Sequence, residues 1–477
     1  MTRESWQTRV GFILAAVGSA VGLGNLWRFP WMTSENGGAA FLLVYLGVVL
    51  LVGVPGLLAE FVIGRRSGRN PVGALSSLSG SKGWSAFGHV FVLTAIVLLS
   101  FYSVVGGWIL RYVGASVTGA YFAEPGAYFG AVNYGLEAVG FHLLFLAATA
   151  FIVLRGVQRG IETATKVMMP AIVVLLVGLA AWGVTLDGAG EGLAFLLSPD
   201  FGALEANFLD ILPAAAGQAL FTLSLGAGTM LTYASYLGED RSLAADGTAI
   251  AVLNTLVGVL AGVVVFPIMF ALVGEVGSGG PGALFVGLAS AFASLPYGQL
   301  VGTAFFGVVA LAALSSSISM LEIPVSFLVD EYGVSRRAAT GGLVGVFAVT
   351  GSVCAVYPGV FDLVASTIVD LMLTGGLVGF LLFAGWVLGR DAVEEYELGA
   401  GAFARRFSTP WLYAAGVFIP VFLIFTFVSG LAAALGVTLA PTELLGVTVD
   451  QTGAIAALSL LVAVTAFLGL RRSGSVI

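Results

Sequence analysis

Charge is scarce in this chain. It has 19 Lys plus Arg and 26 Asp plus Glu in 477 residues, 9% of the total, where a soluble domain carries about 25%. So few charges exclude a soluble enzyme, a disordered tail and a nucleic-acid binder. Cysteine is nearly absent: Cys354 stands alone and has no partner for an internal disulfide. With only His89 and His142 beside it, a Cys/His metal centre lacks ligands, and neither histidine is spaced from a plausible nucleophile. There is no G-x-x-x-x-G-K-[ST] loop for ATP, and no enzyme is expected. Lysine is limited to Lys82 and Lys166, within a net charge of −7. Two readings of that balance stay open, a high-salt environment and a GC-rich genome favouring Arg, Ala, Gly and Val.

Apolar residues are plentiful, at 58%. A membrane helix needs about 20 mainly apolar residues. Twelve stretches qualify: 10–32, 38–64, 85–120, 138–154, 164–186, 211–237, 246–273, 300–329, 338–357, 362–388, 411–436 and 452–470. The charged start, Met1 to Arg9, lacks a small-residue cleavage site after it, so the first stretch reads as a span and not as a signal peptide. The stretch 280–297 is apolar but short and broken, and suits a re-entrant or capping hairpin. The run from Ala392 to Gly401 reads as a solvated charge run, with a short interfacial helix as the alternative. Every Lys and Arg except Arg28 and Arg111 falls at a terminus or in or beside an even-numbered gap. The odd-numbered gaps hold Glu35, Glu124, Asp187, Glu191, Asp200, Glu205, Glu275, Glu443 and Asp450. The positive-inside rule then places both termini in the cytoplasm and requires an even number of spans.

Two spans carry unusual breaks. The first reads Gly18-Ser-Ala-Val-Gly22-Leu-Gly24-Asn25-Leu-Trp-Arg28-Phe-Pro30; the sixth reads Phe221-Thr-Leu-Ser224-Leu-Gly226-Ala-Gly228-Thr229. Backbone that leaves the helix inside a bilayer must line a cavity. Half-helix N-termini there favour carboxylates, and freed carbonyls favour cations. The breaks lie five spans apart, so spans 1–5 and 6–10 read as inverted repeats.

These segments resemble the neurotransmitter:sodium symporter family. The matching residues are Trp6 and Arg9, GSAVGLGNLWRFP at 18–30, ENGG at 35–38, Glu60-Phe61-x-x-Gly64-Arg65 and Phe101-Tyr102. They continue with Arg155-Gly-x-x-Arg159-Gly-Ile-Glu162, Gln218-x-x-Phe221-TLSLGxG, Tyr233-Ala-Ser-Tyr236, Asn254 and Leu314-SSS. They keep their order over residues 6–390. The resemblance implies an all-α polytopic membrane protein of the LeuT-type fold, with twelve transmembrane helices in a 5+5 inverted repeat, the first and sixth unwound. One domain would fill 1–477, with repeats at 1–186 and 211–390 and two further helices at 411–470. It would sit in the plasma membrane as a monomer or homodimer, without nucleic acid.

The resemblance also implies roles. The substrate carboxylate would meet the backbone around Leu23 and Gly24 and the Tyr102 hydroxyl. The rest of the pocket would be Ser19, Ala20, Gly22, Leu98, Phe221, Thr222, Ser224, Ala227, Ser316 and Met320. One sodium ion would take Ala20, Asn25, Thr222 and Asn254; a second would take Gly18, Val21, Ala312, Ser315 and Ser316. All are neutral oxygens, which suit a hard cation. Arg28 would gate the outside with Asp362, under Phe221 as an aromatic lid. Arg3 would gate the inside with Asp330, helped by Trp6 and Tyr236. Glu60 would support the unwound segments near Ser224. Glu322 and Asp370 stay open between protonated, water-facing and proton-conducting roles. A chloride site would use Tyr45, Gln218, Thr222 and Asn254. At Gly258, however, the expected acid or chloride-binding Ser is missing. Chloride without that Ser, proton counter-transport and an acid from elsewhere remain three alternatives. Gly22 stands where monoamine carriers place an acid, and small Ala227 enlarges the pocket. The expected activity is sodium-driven import of a bulky neutral amino acid. A proton-coupled carrier and a non-transporting receptor or channel are the rivals.

Overall fold

The computed structural model describes residues 5–274, 282–437, 442–444, 447–449 and 451–473. Arg3, Glu275 and Asp450 lie outside the described residues.

The chain is helical nearly throughout, as buried backbone in lipid requires. Thr8 opens α1 (Arg9–Ala20), its side chain accepting from Gly11 N. The helix stops where expected: Val21 is extended, and a π-helical turn, Gly24–Arg28, leads into α2 (Phe29–Glu35). Pro30 sits in the first turn of α2, where its missing N–H costs no bond. The two halves are bent by 46°. There follow α3 (Ala39–Ser67), α4 (Lys82–Thr118), α5 (Leu136–Val153) and α6 (Val157–Gly183). The sixth expected span is divided into α7 (Phe201–Thr222) and α8 (Thr229–Ala234). Then come α9 (Leu243–Leu272), α10 (Gly298–Tyr332), α11 (Arg336–Val356), α12 (Pro358–Leu388), α13 (Arg390–Glu397), α14 (Ser408–Ala432) and α15 (Gln451–Ser473).

Among the described residues, nine unbroken helices are long and apolar enough to cross a membrane, and the bent α1–α2 pair makes ten. α7 and α15 coincide with the sixth and twelfth expected spans without passing the same test; α7 carries Glu205, Asn207 and Asp210 in its first half. Within 280–297 the described part forms a helix, Ala283–Ala293, of 11 residues. At about 1.5 Å per residue it is too short to span a bilayer. A small antiparallel hairpin, Thr442–Leu444 with Val447–Val449, is added to the expected all-α plan.

One expectation is corrected. The 392–401 run is not simply solvated: α13 forms across its first part, with Ala392, Glu395 and Tyr396 buried. Their i, i+3, i+4 spacing makes one inward face, and buried Arg65 pairs with Glu395.

The chain divides into two compact units. The first comprises Met1–Val49, Ala95–Leu223 and Ala249–Ala365. In it α1 packs on α6 and α10, α5 on α10 and α11, and α7 on the first part of α3. Helix association in lipid rests on packing and interhelical hydrogen bonds of about 0.6 kcal/mol each. Here they include Thr149 to Ser317 and Ser100 to Thr350, both 2.7 Å. The second unit comprises Leu50–Thr94, Ser224–Thr248 and Ser366–Ile477. In it α8 packs on the later part of α3, and α14 on α12. Phe91 stacks on Phe380 with centroids 3.9 Å apart.

Candidate functional site

Within the first unit, the end of α7 meets the break in the first span. Gln218 Nε2 donates to Gly24 O at 2.7 Å. A Cβ on Gly24 would lie 3.0 Å from Thr222 Cα and 3.1 Å from the Phe221 ring, so any larger residue would crowd both.

Around the break in the first span, hydroxyl and backbone groups converge. Leu23 N–H donates to the Tyr102 hydroxyl at 3.2 Å, and Ser316 donates to Ser19 O at 2.9 Å. A Cβ on Gly22 would lie 2.1 Å from Ser316 Oγ and 2.8 Å from Tyr102 Oη. No side chain fits at 22, least of all an acidic one. Ser19, Ala20, Leu23, Leu98, Tyr102, Thr222, Ser316 and Met320 are all buried. Ser19 also donates to Ser319 at 2.7 Å, a hydroxyl absent from the sequence reading although it follows Ser315 by one helical turn.

Two oxygen clusters stand where sodium is expected. In the first, Asn25 Nδ2 donates to Asn254 O at 2.9 Å, and Asn25 Oδ1 accepts from Gly22 N at 3.3 Å. With its nitrogen turned toward the acceptors, the Asn254 amide reaches Ala20 O at 3.2 Å and Thr222 O at 3.3 Å. Its oxygen then accepts from Thr222 Oγ1 at 3.2 Å. All four expected residues therefore meet. In the second cluster, Ser315 Oγ lies 2.6 Å from Gly18 O, 2.9 Å from Ala312 O and 3.3 Å from Val21 O. The fifth expected member, Ser316, bonds Ser19 O instead. Among the described residues no group of three or more His, Cys, Asp or Glu could hold a metal. Any cation here meets neutral oxygens.

The residues expected around chloride also lie in the first unit. The Tyr45 hydroxyl faces Thr222 and Thr255; Thr255 was missed because a Thr in an apolar helix usually bonds its own backbone, as this one also does to Ala251 O. A Cβ on Gly258 would stand 3.4 Å from Asn25 Nδ2, so this position faces the first cluster.

The gate residues are distributed as follows. Arg28 is 8% exposed, its guanidinium 4.8 Å from the Phe221 ring centroid. Asp362 lies in the first turns of α12. Trp6 is buried, 6.0 Å from Phe12, and Asp330 lies near the end of α10. The buried Glu322 takes both Arg336 nitrogens, at 2.7 and 2.9 Å, an ion pair that none of its open readings included. Arg111 pairs with Glu137 at 2.5 Å.

In the second unit, Ser224 is the one non-glycine with positive φ, +54°, among the described residues. Beside it Glu60 caps the loosened backbone, accepting from Gly226 N at 2.7 Å and Leu231 N at 3.2 Å. Ala227 and Tyr236 are buried in this unit. Asp370 begins the regular part of α12, its carbonyl accepting from Thr374.

Comparison with known proteins agrees with this geometry. The family described as Sodium:neurotransmitter symporter family matches residues 3–123 and 129–434. The uncharacterized sodium-dependent transporter YhdH of Bacillus subtilis is 35% identical over 89% of this chain and 97% of its own length. An uncharacterized sodium-dependent transporter of Methanocaldococcus jannaschii is 33% identical, covering 89% of each chain. Among solved structures, the crystal structure of MhsT in complex with L-phenylalanine superposes with a TM-score of 0.81. It is 39% identical and covers 90% of this chain and 100% of that one. The protein has the LeuT-type fold, and the chain belongs to the sodium:neurotransmitter symporter family of sodium-dependent membrane transporters.

Proposed function

We propose that the protein is a plasma-membrane symporter that imports a bulky neutral amino acid, aromatic or branched, with sodium by alternating access. Both termini are cytoplasmic in this reading. The observation that carries it is the arrangement at Gly22, Leu23 and Tyr102. Leu23 N–H reaches the Tyr102 hydroxyl at 3.2 Å, and the bare Cα of Gly22 lets Ser316 and Tyr102 close in on the same backbone, a set of donors that suits a carboxylate. The steric limit at Gly22 argues against a bare amine, which would need an acid there. The solved relative with L-phenylalanine bound supports an aromatic side chain. Sodium, as cargo, would be held by Ala20, Asn25, Thr222 and Asn254, and by Gly18, Val21, Ala312 and Ser315, with Ser316 as the fifth expected ligand.

The test is a binding screen of the twenty amino acids with and without sodium. Binding of Phe, Trp or Leu enhanced by sodium is expected, and Asn25→Ala or Thr222→Ala should remove the enhancement. Uptake of glycine or alanine uninhibited by Trp, Phe or Leu overturns the substrate assignment. Uptake driven by a pH gradient without sodium moves the protein to the proton-coupled class.

A further inference from the structure

Helix α1 is held at both ends within the first unit. Its C-terminal end supplies the Gly18 and Val21 carbonyls that surround Ser315. Its N-terminal end is held by Glu162, at the start of α6. Glu162 Oε2 accepts from Gln7 N at 2.9 Å, and Oε1 accepts from the Thr8 hydroxyl at 2.9 Å. That hydroxyl in turn accepts from Gly11 N at 3.0 Å, so the carboxylate orients the cap of the helix. Lys166 Nζ lies 2.7 Å from Oε1, with the Glu162 side chain 1% exposed and that of Lys166 35% exposed. Gln158 adds a second tie, donating to Ser5 O at 2.7 Å. The cradle is tight: a Cβ on Gly11 would lie 2.0 Å from Glu162 Oε1.

A 12-residue helix is a stiff rod about 18 Å long. What fixes one end constrains the other. We propose that Glu162 is a positioning residue that latches the cytoplasmic end of α1 and thereby couples sodium occupancy at the Ser315 cluster to closure of the cytoplasmic side. The inference rests on the sodium-coupled reading above and on the cytoplasmic placement of the N-terminus. Sodium drawing in the Gly18 and Val21 carbonyls holds α1 against α6, and the latch holds the other end in register. Without the latch, sodium binding would no longer be transmitted along the rod.

Thr165 reports the state of this contact. It is 1% exposed, and its methyl group would lie 3.3 Å from a Cβ on Gly18. A Thr165→Cys variant in a Cys354→Ala background, in inside-out vesicles, is treated with a membrane-impermeant maleimide with and without sodium. In the reporter alone sodium should slow labelling about tenfold. Adding Glu162→Gln should abolish that protection. Gly11→Ala should do the same while leaving every charge in place, because the methyl displaces the carboxylate. A purely stabilising Glu162 would lower the melting temperature and leave the sodium protection ratio unchanged, which overturns the proposal. Should Glu162→Gln fail to fold, Gly11→Ala and Lys166→Ala decide by the same ratio. A reporter without sodium protection overturns the sodium reading itself; protection that survives in both the Glu162 and Gly11 variants overturns only the latch.

Discussion

Gly22→Ala tests the centre of the site. The new methyl carbon would stand 2.1 Å from Ser316 Oγ, 2.8 Å from Tyr102 Oη and 3.0 Å from Ser316 Cβ, where ordinary contact begins at 3.4 Å. Rotating the Ser316 hydroxyl away gives up its bond to Ser19 O and leaves the other two contacts too close. Relief therefore needs movement of α4 or α10, both packed helices. Overpacking of this kind costs about 1–3 kcal/mol, and three simultaneous contacts place Gly22→Ala in the upper half of that range. The variant should lose about 2–3 kcal/mol of folding stability, and sodium-dependent L-phenylalanine binding to purified protein should weaken. Ser316→Gly removes two of the three contacts. The Gly22→Ala/Ser316→Gly double variant should thus bind better than the sum of the single effects predicts, with a coupling of about 1 kcal/mol or more in a double-mutant cycle. Gly22→Ala binding within twofold of the parent, with an unchanged melting temperature, would refute the close approach and the reading of the site built on it.

Three further outcomes are expected. Ser224 holds a left-handed backbone at φ +54°, which costs an L-residue about 1–2 kcal/mol, while glycine there adds about 0.5–1 kcal/mol of unfolded-state entropy. In thermal unfolding, Ser224→Gly should stay within about 1 kcal/mol of the parent and Ser224→Val should be clearly less stable; equal melting temperatures for Gly and Val count against the strain. Glu395→Ala strands Arg65, whose side chain is 1% exposed, and should destabilise by about 3–5 kcal/mol; Arg65→Met with Glu395→Leu should recover most of that loss. Where replacing chloride by gluconate slows uptake by the parent, Gly258→Glu, with its Cβ 3.4 Å from Asn25 Nδ2, should remove that sensitivity; a chloride requirement that persists would place the balancing charge elsewhere.

The breaks were legible in the sequence because glycine, asparagine and a cation in mid-span have few structural excuses. Gly18 to Arg28 and Phe221 to Thr229 stand out in the sequence on residue type alone. Charge segregation was legible in the same way, since the cations avoid every odd-numbered gap. What escaped is pairing between distant helices. Glu322 and Arg336 are 14 residues apart, and only the fold shows that they turn toward each other. Arg65 and Glu395 are 330 residues apart. The run containing Glu395 looked solvated because three glutamates hide the inward spacing of Ala392, Glu395 and Tyr396. Glu162 was visible only as part of a family motif. Its contacts to Gln7 and Thr8 depend on how α1 lies along α6, which periodicity does not encode.

The neutrality of the first oxygen cluster bears on energy coupling. Ala20, Asn25, Thr222 and Asn254 offer no formal charge, so a sodium ion there is balanced only by what binds beside it. A substrate carboxylate about 4 Å away, at an effective dielectric constant of about 20, attracts the ion by about 4 kcal/mol, close to a thousandfold in affinity. Linkage makes the effect reciprocal: sodium tightens substrate by the factor by which substrate tightens sodium. L-Phenylalaninol keeps the ring and the amine but replaces the carboxylate with a neutral hydroxyl. Its binding should lose nearly all of the sodium enhancement expected with L-phenylalanine, and its affinity without sodium should also fall, because the carboxylate's contacts to the Leu23 backbone and the Tyr102 hydroxyl are lost. If phenylalaninol shows the same sodium enhancement as phenylalanine, the ion is balanced by the protein or by chloride, and coupling must run through conformation alone, along the route from the Ser315 cluster through α1 to Glu162.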